Sequence, residues 1–255
     1  MEISNKLINR SKYDYLIRFI SLSKLLDLLI NQAFSFTRLD FFKDKSEAIS
    51  NQQLIKHLYP KLWNSENTKK ELELKIRQQR YFASCWFGSD RESFSMWNLY
   101  SDSSSVALRY KVDDYKLLWE KDNMIFNIEE DWINRVYISE IDYKNYLSKE
   151  VFKDKKEVIG LYKDESYKSE QEVRVLIKCK GSINKRNKKY FKDLNLEKII
   201  IKPKNIKEIP FTVLFHPEMH DIHKLNIKKL VEKYEFENIR CSDSELTKLL
   251  NFKNI

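Results

Sequence analysis

The 255-residue sequence has very little glycine and proline, with three and four residues respectively. It contains no glycine-rich cluster of the Walker or dinucleotide-binding kind, which argues against those nucleotide folds. The three cysteines, Cys85, Cys179 and Cys241, form no Cys-x-x-Cys pair, a pattern typical of a reducing compartment and of neither a disulfide scaffold nor a zinc ribbon. No run comes near the roughly 18 uninterrupted apolar residues of a membrane helix, and the N-terminal stretch lacks an apolar signal core. We therefore expect a cytoplasmic protein that has no membrane partner.

The residues that are abundant indicate an ordinary globular protein, because 42% are hydrophobic and 13% are aromatic. The net charge is +9 and the isoelectric point about 9.2. Such a balance favours an anionic partner, for example nucleic acid or a phosphorylated cofactor. The alternative is a lysine-rich composition without such a partner, because acidic residues are interspersed among the basic ones.

Strand and helix patterns follow one another without strict alternation, which predicts the α+β class. Near the N-terminus, four apolar residues around Arg18 (segment 16–20) predict a strand, and a leucine stripe after Ser21 predicts a helix. The alternating segment "AFSFTRL" then predicts a half-buried strand. We expect one domain that spans residues 1–255, with a core of about 13–245.

The segment "DESYKSEQEVRVLIKC" (164–179) places Glu170, Glu172 and Arg174 at alternate positions of a predicted strand. Residues two apart lie roughly 6.5–7 Å from each other on one face, so these three would share a face and the intervening residues would face the core. One interpretation is a solvated sheet face with a weak pair between Glu172 and Arg174. The other is a covered cleft in which one carboxyl pKa rises and the arginine orients the other carboxylate or binds an anionic ligand.

Three motifs, in order, resemble those of a large bacterial family, domain of unknown function 2971. The first comprises "YLIRF", "LSKLLDLL" and then Phe42, Asp44 and Glu47. The second comprises "FASCW" and then Met96, Trp97 and Tyr100. The third comprises Lys163, Asp164, Tyr167, Glu170, Glu172 and Arg174. The resemblance covers most of residues 13–245, but that family brings no established activity with it.

The layout also resembles the ADP-ribosyltransferase fold, in which an arginine, a serine and a Glu-x-Glu pair follow one another. Arg18, Ser84 and Glu170-x-Glu172 have this order here. The resemblance implies a mixed, mostly antiparallel central sheet flanked by helices, with NAD as substrate. The implied catalytic residues are Glu172, Glu170 and Arg18, and the implied cofactor-binding residues are Arg18, Ser84, Trp97, Tyr100 and Arg174.

In that chemistry Arg18 would hold the NAD pyrophosphate and Ser84 would hydrogen-bond near the nicotinamide ribose. Glu172 would stabilise the oxocarbenium-like centre, while Glu170 orients or deprotonates a nucleic-acid or protein acceptor. Trp97 or Tyr100 would stack on the nicotinamide ring. Such an enzyme would act as a toxin or an anti-phage effector.

Two alternatives remain open. The first is a non-enzymatic module that binds nucleic acid or a protein partner through the basic turn formed by Lys185, Arg186, Lys188 and Lys189. The second is a metal-dependent nuclease built on Asp44, Glu47, Glu170 and Glu172. The histidines in "HPEMHDIH" do not form the His-Glu-x-x-His zinc motif, so we read them as a polar helix N-terminus and expect no metal.

Overall fold

A computed structural model describes residues 2–5, 12–44, 78–148, 158, 160–184, 189–190, 195–236 and 238–250, without side chains for residues 5, 182–184 and 189–190. In these residues the strands are β1 (Glu2–Asn5), β2 (Tyr15–Ile20), β3 (Phe34–Arg38), β4 (Tyr81–Gly88), β5 (Val106–Lys111), β6 (Met124–Phe126), β7 (Ile133–Glu140), β8 (Asp142–Lys144), β9 (Tyr162–Asp164), β10 (Glu172–Cys179), β11 (Ser182–Asn184), β12 (Lys189–Tyr190), β13 (Lys198–Pro203), β14 (Phe211–Phe215) and β15 (Ile239–Asp243).

The α-helices of the same residues are α1 (Leu22–Asn31), α2 (Phe94–Tyr100), α3 (Val112–Leu117), α4 (Asp221–Lys233) and α5 (Thr247–Leu250). Short 3₁₀ helices occupy Leu39–Phe41, Lys121–Asn123, Glu130–Trp132 and Glu165–Glu170. In the part of the chain that is described, none of the helices has the length and apolar character needed to cross a membrane.

The chain divides into two compact units, and the first comprises Met1–Lys6, Ser35–Cys85 and Phe126–Ile200. Within it β1 pairs parallel with β7, and β7 pairs antiparallel with β10. The next neighbour of β10 is β4, which in turn pairs antiparallel with β3. The short strands β8 and β9 form a separate parallel pair.

One core cluster of the first unit contains Leu176 of β10, which packs with other fully or nearly buried side chains. These are Leu39, Tyr81, Ala83, Tyr137, Ile141 and Leu161. Gly160 lies beside this cluster and has a φ of +89°, a backbone conformation that residues other than glycine rarely adopt. A Cβ on Gly160 would also lie only 2.5 Å from Leu39 Cδ1, so the position requires glycine.

The second unit comprises Leu7–Phe34, Trp86–Ile125 and Ile201–Ile255. Its strand β2 pairs antiparallel with the last residues of β4 and with β5, while β14 pairs antiparallel with β5 and parallel with β15. Helix α1 begins at Leu22 directly after Ser21, as the leucine stripe predicts, and buries Leu25, Leu28 and Leu29. Its core joins Met96 and Trp97 of α2 to side chains of the sheet.

The described residues therefore confirm a mixed α+β fold with a mostly antiparallel, open sheet and few helices. Alternation in β3 also holds, since Phe34, Phe36 and Arg38 are buried while the residues between them are less so. Arg38 is buried because its guanidinium pairs with Asp40 at 2.7 Å and donates to the carbonyl of Leu196.

Candidate functional site

Glu172 and Arg174 begin β10 as a buried ion pair. Arg174 Nε donates to Glu172 Oε1 at 2.5 Å, and Nη2 donates to Oε2 at 3.0 Å. The remaining terminal nitrogen, Nη1, donates to the carbonyl of Gly160 at 2.9 Å. The two side chains are 6% and 0% exposed, so this is a covered pair and the solvated-face interpretation is wrong. Arg174 presents no surface to a ligand and anchors Glu172 instead, which corrects its predicted cofactor-binding role.

Lys163 on β9 joins a second carboxylate to this pair. Its ammonium lies 2.5 Å from Glu170 Oε2 and 3.4 Å from Glu172 Oε2. The same ammonium lies 4.5 Å from the centre of the Tyr167 ring, a distance at which a cation–π attraction operates. Lys163 is 7% exposed and Glu170 is 12% exposed, so the group is shielded from water on most sides.

The two glutamates do not reach Lys163 from one strand, which corrects the predicted geometry. Glu170 ends the 3₁₀ helix Glu165–Glu170, and β10 begins only at Glu172. Residues three apart superpose on a 3₁₀ helix, so Tyr167 and Glu170 face the same way. Gln171 between them and the strand has a φ of 41°, and this left-handed residue turns the chain so that both glutamates contact Lys163.

The charges around Glu172 keep it ionised. Burial alone raises the pKa of a carboxyl, but the Arg174 guanidinium, the Lys163 ammonium and a hydrogen bond from Cys85 outweigh that effect. The pKa of Glu172 is therefore lowered from its ordinary value. Glu172 is thus not the group whose pKa was predicted to rise.

Two tyrosines bound the group and both are held in the neutral form. Tyr143 Oη accepts the backbone N–H of Glu172 at 2.8 Å, and burial raises the pKa of its phenol far above the ordinary range. Burial also raises the pKa of Tyr167, and the charge of Asp44 and a hydrogen bond to it act in the same direction. Neither phenol supplies a negative charge at neutral pH.

Parts of all three motifs meet here within the first unit. Phe42 and Asp44 come from the first motif, and the Phe42 ring lies 5.7 Å from the Arg174 guanidinium. Cys85 follows the segment "FAS" of the second motif and hydrogen-bonds to Glu172. Ser84, its neighbour on β4, is 1% exposed and belongs to the same unit. Glu47 of the first motif lies outside the described residues.

Arg18, Trp97 and Tyr100 belong to the second unit. The Arg18 guanidinium lies 5.6 Å from the Trp86 ring, and its role in holding the NAD pyrophosphate stays a prediction. Tyr100 is 50% exposed at the end of α2. Trp97 is only 1% exposed, so its ring is not open to stacking on a nicotinamide and is a core residue instead.

Trp97 is held by a buried carboxylate that sequence reasoning missed. Glu92 is 8% exposed and its Oε2 accepts Trp97 Nε1–H at 3.0 Å and Ser244 Oγ–H at 2.6 Å. Its Oε1 accepts the backbone N–H of Glu245 at 2.9 Å. The Trp97 ring also meets Phe19 and His216 edge-on, with centroids 4.8 and 5.1 Å away. The Met-Trp motif thus stabilises the second unit.

The residues of the alternative functions are only partly described. Lys185, Arg186 and Lys188 lie outside the described residues, and Lys189 is described without its side chain. Within the described ranges no group of three or more His, Cys, Asp or Glu side chains is placed to hold a metal ion. His220 caps α4 by accepting the N–H of Ile222, in line with the polar helix N-terminus.

Lys163 is the site residue to which the sequence assigned no role. It lies in the third motif, but its partners lie seven and nine residues further on, a spacing typical of no single helix or strand. The 3₁₀ helix and the left-handed Gln171 create the contact, and the only signal for them is the three-residue spacing of Asp164, Tyr167 and Glu170.

Comparisons with protein-family models, with curated protein sequences and with solved structures return no match for this chain. The likeness to domain of unknown function 2971 and to ADP-ribosyltransferases rests on the motifs alone.

Proposed function

We propose that this protein is an NAD-consuming enzyme of the ADP-ribosyltransferase or NAD glycohydrolase type, with Glu172 and Glu170 as its catalytic carboxylates. The observation that carries the proposal is the meeting of both carboxylates at the Lys163 ammonium, with Glu172 ionised and fixed by Arg174. Titratable groups so perturbed by burial and by specific charges are concentrated at functional sites.

The chemistry needs a fixed negative charge. When the bond between the ribose C1′ and the nicotinamide nitrogen breaks, its electron pair leaves with the nicotinamide and neutralises the pyridinium. Positive charge then develops on the ribose ring, where Glu172 stabilises it without reorganising, because Arg174 already holds both carboxylate oxygens in place. The acceptor hydroxyl attacks C1′ and Glu170, the more exposed of the two glutamates, takes its proton.

The test is nicotinamide release from NAD by the purified full-length protein, with water as the acceptor. We expect release by the wild type and a loss of about 10²–10³-fold in Glu172→Gln, as for other preorganised charges in active sites. Glu170→Gln should lose about 10²-fold. Glu165→Gln, an exposed position on the same 3₁₀ helix, is the matched control and should keep the wild-type rate. Release that is equal in the wild type and Glu172→Gln would refute the proposal.

A further inference from the structure

The Lys163 ammonium connects two separate elements of the first unit. Its bond to Glu170 reaches the end of the 3₁₀ helix, and its contact with Glu172 reaches the first residue of β10. Between these two residues lies only Gln171, in the left-handed conformation. Lys163 itself is placed by backbone pairing, since it lies opposite Tyr143 in the parallel pair of β8 and β9.

We propose that Lys163 is the positioning residue of the site, which fixes Glu170 against Glu172 and balances the second carboxylate charge. The inference rests on the proposed function for the reaction, but the positioning itself does not. Lys163 acts through the two glutamates and does not itself react with the substrate.

Arg174 cannot perform this task. Two of its nitrogens are directed at Glu172 and the third at the carbonyl of Gly160. The planar guanidinium thus holds one carboxylate in a forked arrangement, whereas an ammonium directs three hydrogens toward different partners. The two cations therefore have different roles. Arg174 holds the Glu172 carboxylate in place, and Lys163 holds Glu170 close to Glu172.

The number of cations determines how the site titrates. Glu172 faces Arg174 from its own strand, Lys163 from β9, the Cys85 thiol from β4 and the Tyr143 phenol from β8, with Glu170 beside it. Burial raises the pKa of the Tyr143 phenol far above neutral pH, so this phenol adds no charge and the two cations balance the two carboxylates. Without Lys163 the second carboxylate charge is uncompensated, and Glu172 takes up a proton at a higher pH.

The experiment compares Lys163→Met, Lys163→Arg and the control Lys168→Met, which removes an exposed lysine of the 3₁₀ helix. The first readout is the pH profile of nicotinamide release. The acidic limb should move to higher pH by about one unit or more in Lys163→Met, with kcat reduced about tenfold or more and KM little changed. Lys163→Arg should keep the acidic limb at its wild-type pH, and Lys168→Met should match the wild type throughout.

The second readout separates this inference from the proposed function. Selective ¹³C labelling of glutamate carboxyls follows the titration of Glu172 directly, and the Glu172→Gln spectrum identifies its resonance. We expect its midpoint to rise in Lys163→Met whether or not NAD is cleaved. A protein that releases no nicotinamide but shows this shift refutes the enzyme and supports the positioning role.

An unchanged Glu172 midpoint in Lys163→Met, with a rate reduced equally at every pH, would overturn the inference, because a lysine that acts only by packing predicts that result. Circular dichroism shows whether Lys163→Met is folded. If Lys163→Met is unfolded, Lys163→Arg provides the test, because this variant retains the positive charge. An acidic limb and a Glu172 midpoint that depart from those of the wild type in Lys163→Arg would then refute the inference.

Discussion

Replacing Glu172 and Arg174 one at a time and then together measures what their pairing contributes. The variants are Glu172→Leu, Arg174→Met and the double variant, all of which keep a side chain of similar length in the strand. The two side chains are 6% and 0% exposed, so neither charge gains access to water when its partner is removed.

When Arg174 alone is removed, the Glu172 carboxylate keeps the Lys163 ammonium, whose Nζ lies 3.4 Å from Oε2. The carbonyl of Gly160 also loses the hydrogen bond that Arg174 donates. Loss of one member of a buried pair costs about 3–5 kcal/mol. Removing Glu172 alone should cost a similar amount, because the buried guanidinium then loses the carboxylate that accepts from two of its nitrogens. Replacing both by apolar residues is often neutral, so the double variant should lie within about 2 kcal/mol of the wild type.

The assay is urea denaturation followed by circular dichroism. With a slope of about 3 kcal/mol per M, each single variant should lower the midpoint by about 1 M or more, while the double variant recovers most of that loss. The coupling free energy should reach at least about 3 kcal/mol. Single variants that each cost less than about 1 kcal/mol would refute the reasoning, because they would mean that the pair is solvated.

Two further predictions concern the second unit. Burial lowers the pKa of His216, so as pH falls below about 6.5 the unfolded chain binds a proton before the folded chain does, and stability is lost. His216→Asn keeps an acceptor for the Glu218 N–H and should abolish that loss of stability. Urea midpoints measured between about pH 5.5 and 7.5 will show the difference. Glu92→Gln replaces one of two accepting oxygens by an NH₂ group that faces a donor, so it should lower the free energy of unfolding by about 2–3 kcal/mol. The control Glu232→Gln changes an exposed side chain and should leave that free energy almost unchanged. Equal thermal midpoints for the two variants would contradict this prediction.

The elements with a regular period could be predicted from the sequence. Helix α1 and strand β3 each bury one face, and the apolar residues of that face recur with the period of the helix or the strand. The leucine stripe and the alternation therefore predict the element directly. The segment 170–174 has an equally regular alternation, but its first residue is helical and Gln171 is left-handed. A period of two does not distinguish a strand from a turn that happens to place its charges at alternate positions.

Burial of charge was the other feature that the sequence could not supply. A Glu and an Arg two apart are compatible with a solvated pair and with a covered pair, because the covering groups come from β4, β8 and β9. Trp97 illustrates the converse, since its polar neighbours in the sequence indicated a ligand site. In the fold the Glu92 carboxylate accepts a hydrogen bond from the indole N–H of Trp97, and the ring is part of the core.

The cost of the charged group in the first unit is itself an argument for chemistry. Backbone pairing already sets the positions of Lys163 opposite Tyr143 and of Arg174 opposite Ser139, so the charges are not needed for register. Apolar side chains of similar volume would hold these strands at no greater cost in free energy. What they would not supply is an ionised carboxylate that is prevented from turning, which a reaction that passes through a cationic centre requires. A double variant that regains stability but loses nicotinamide release would separate those two contributions in a single protein.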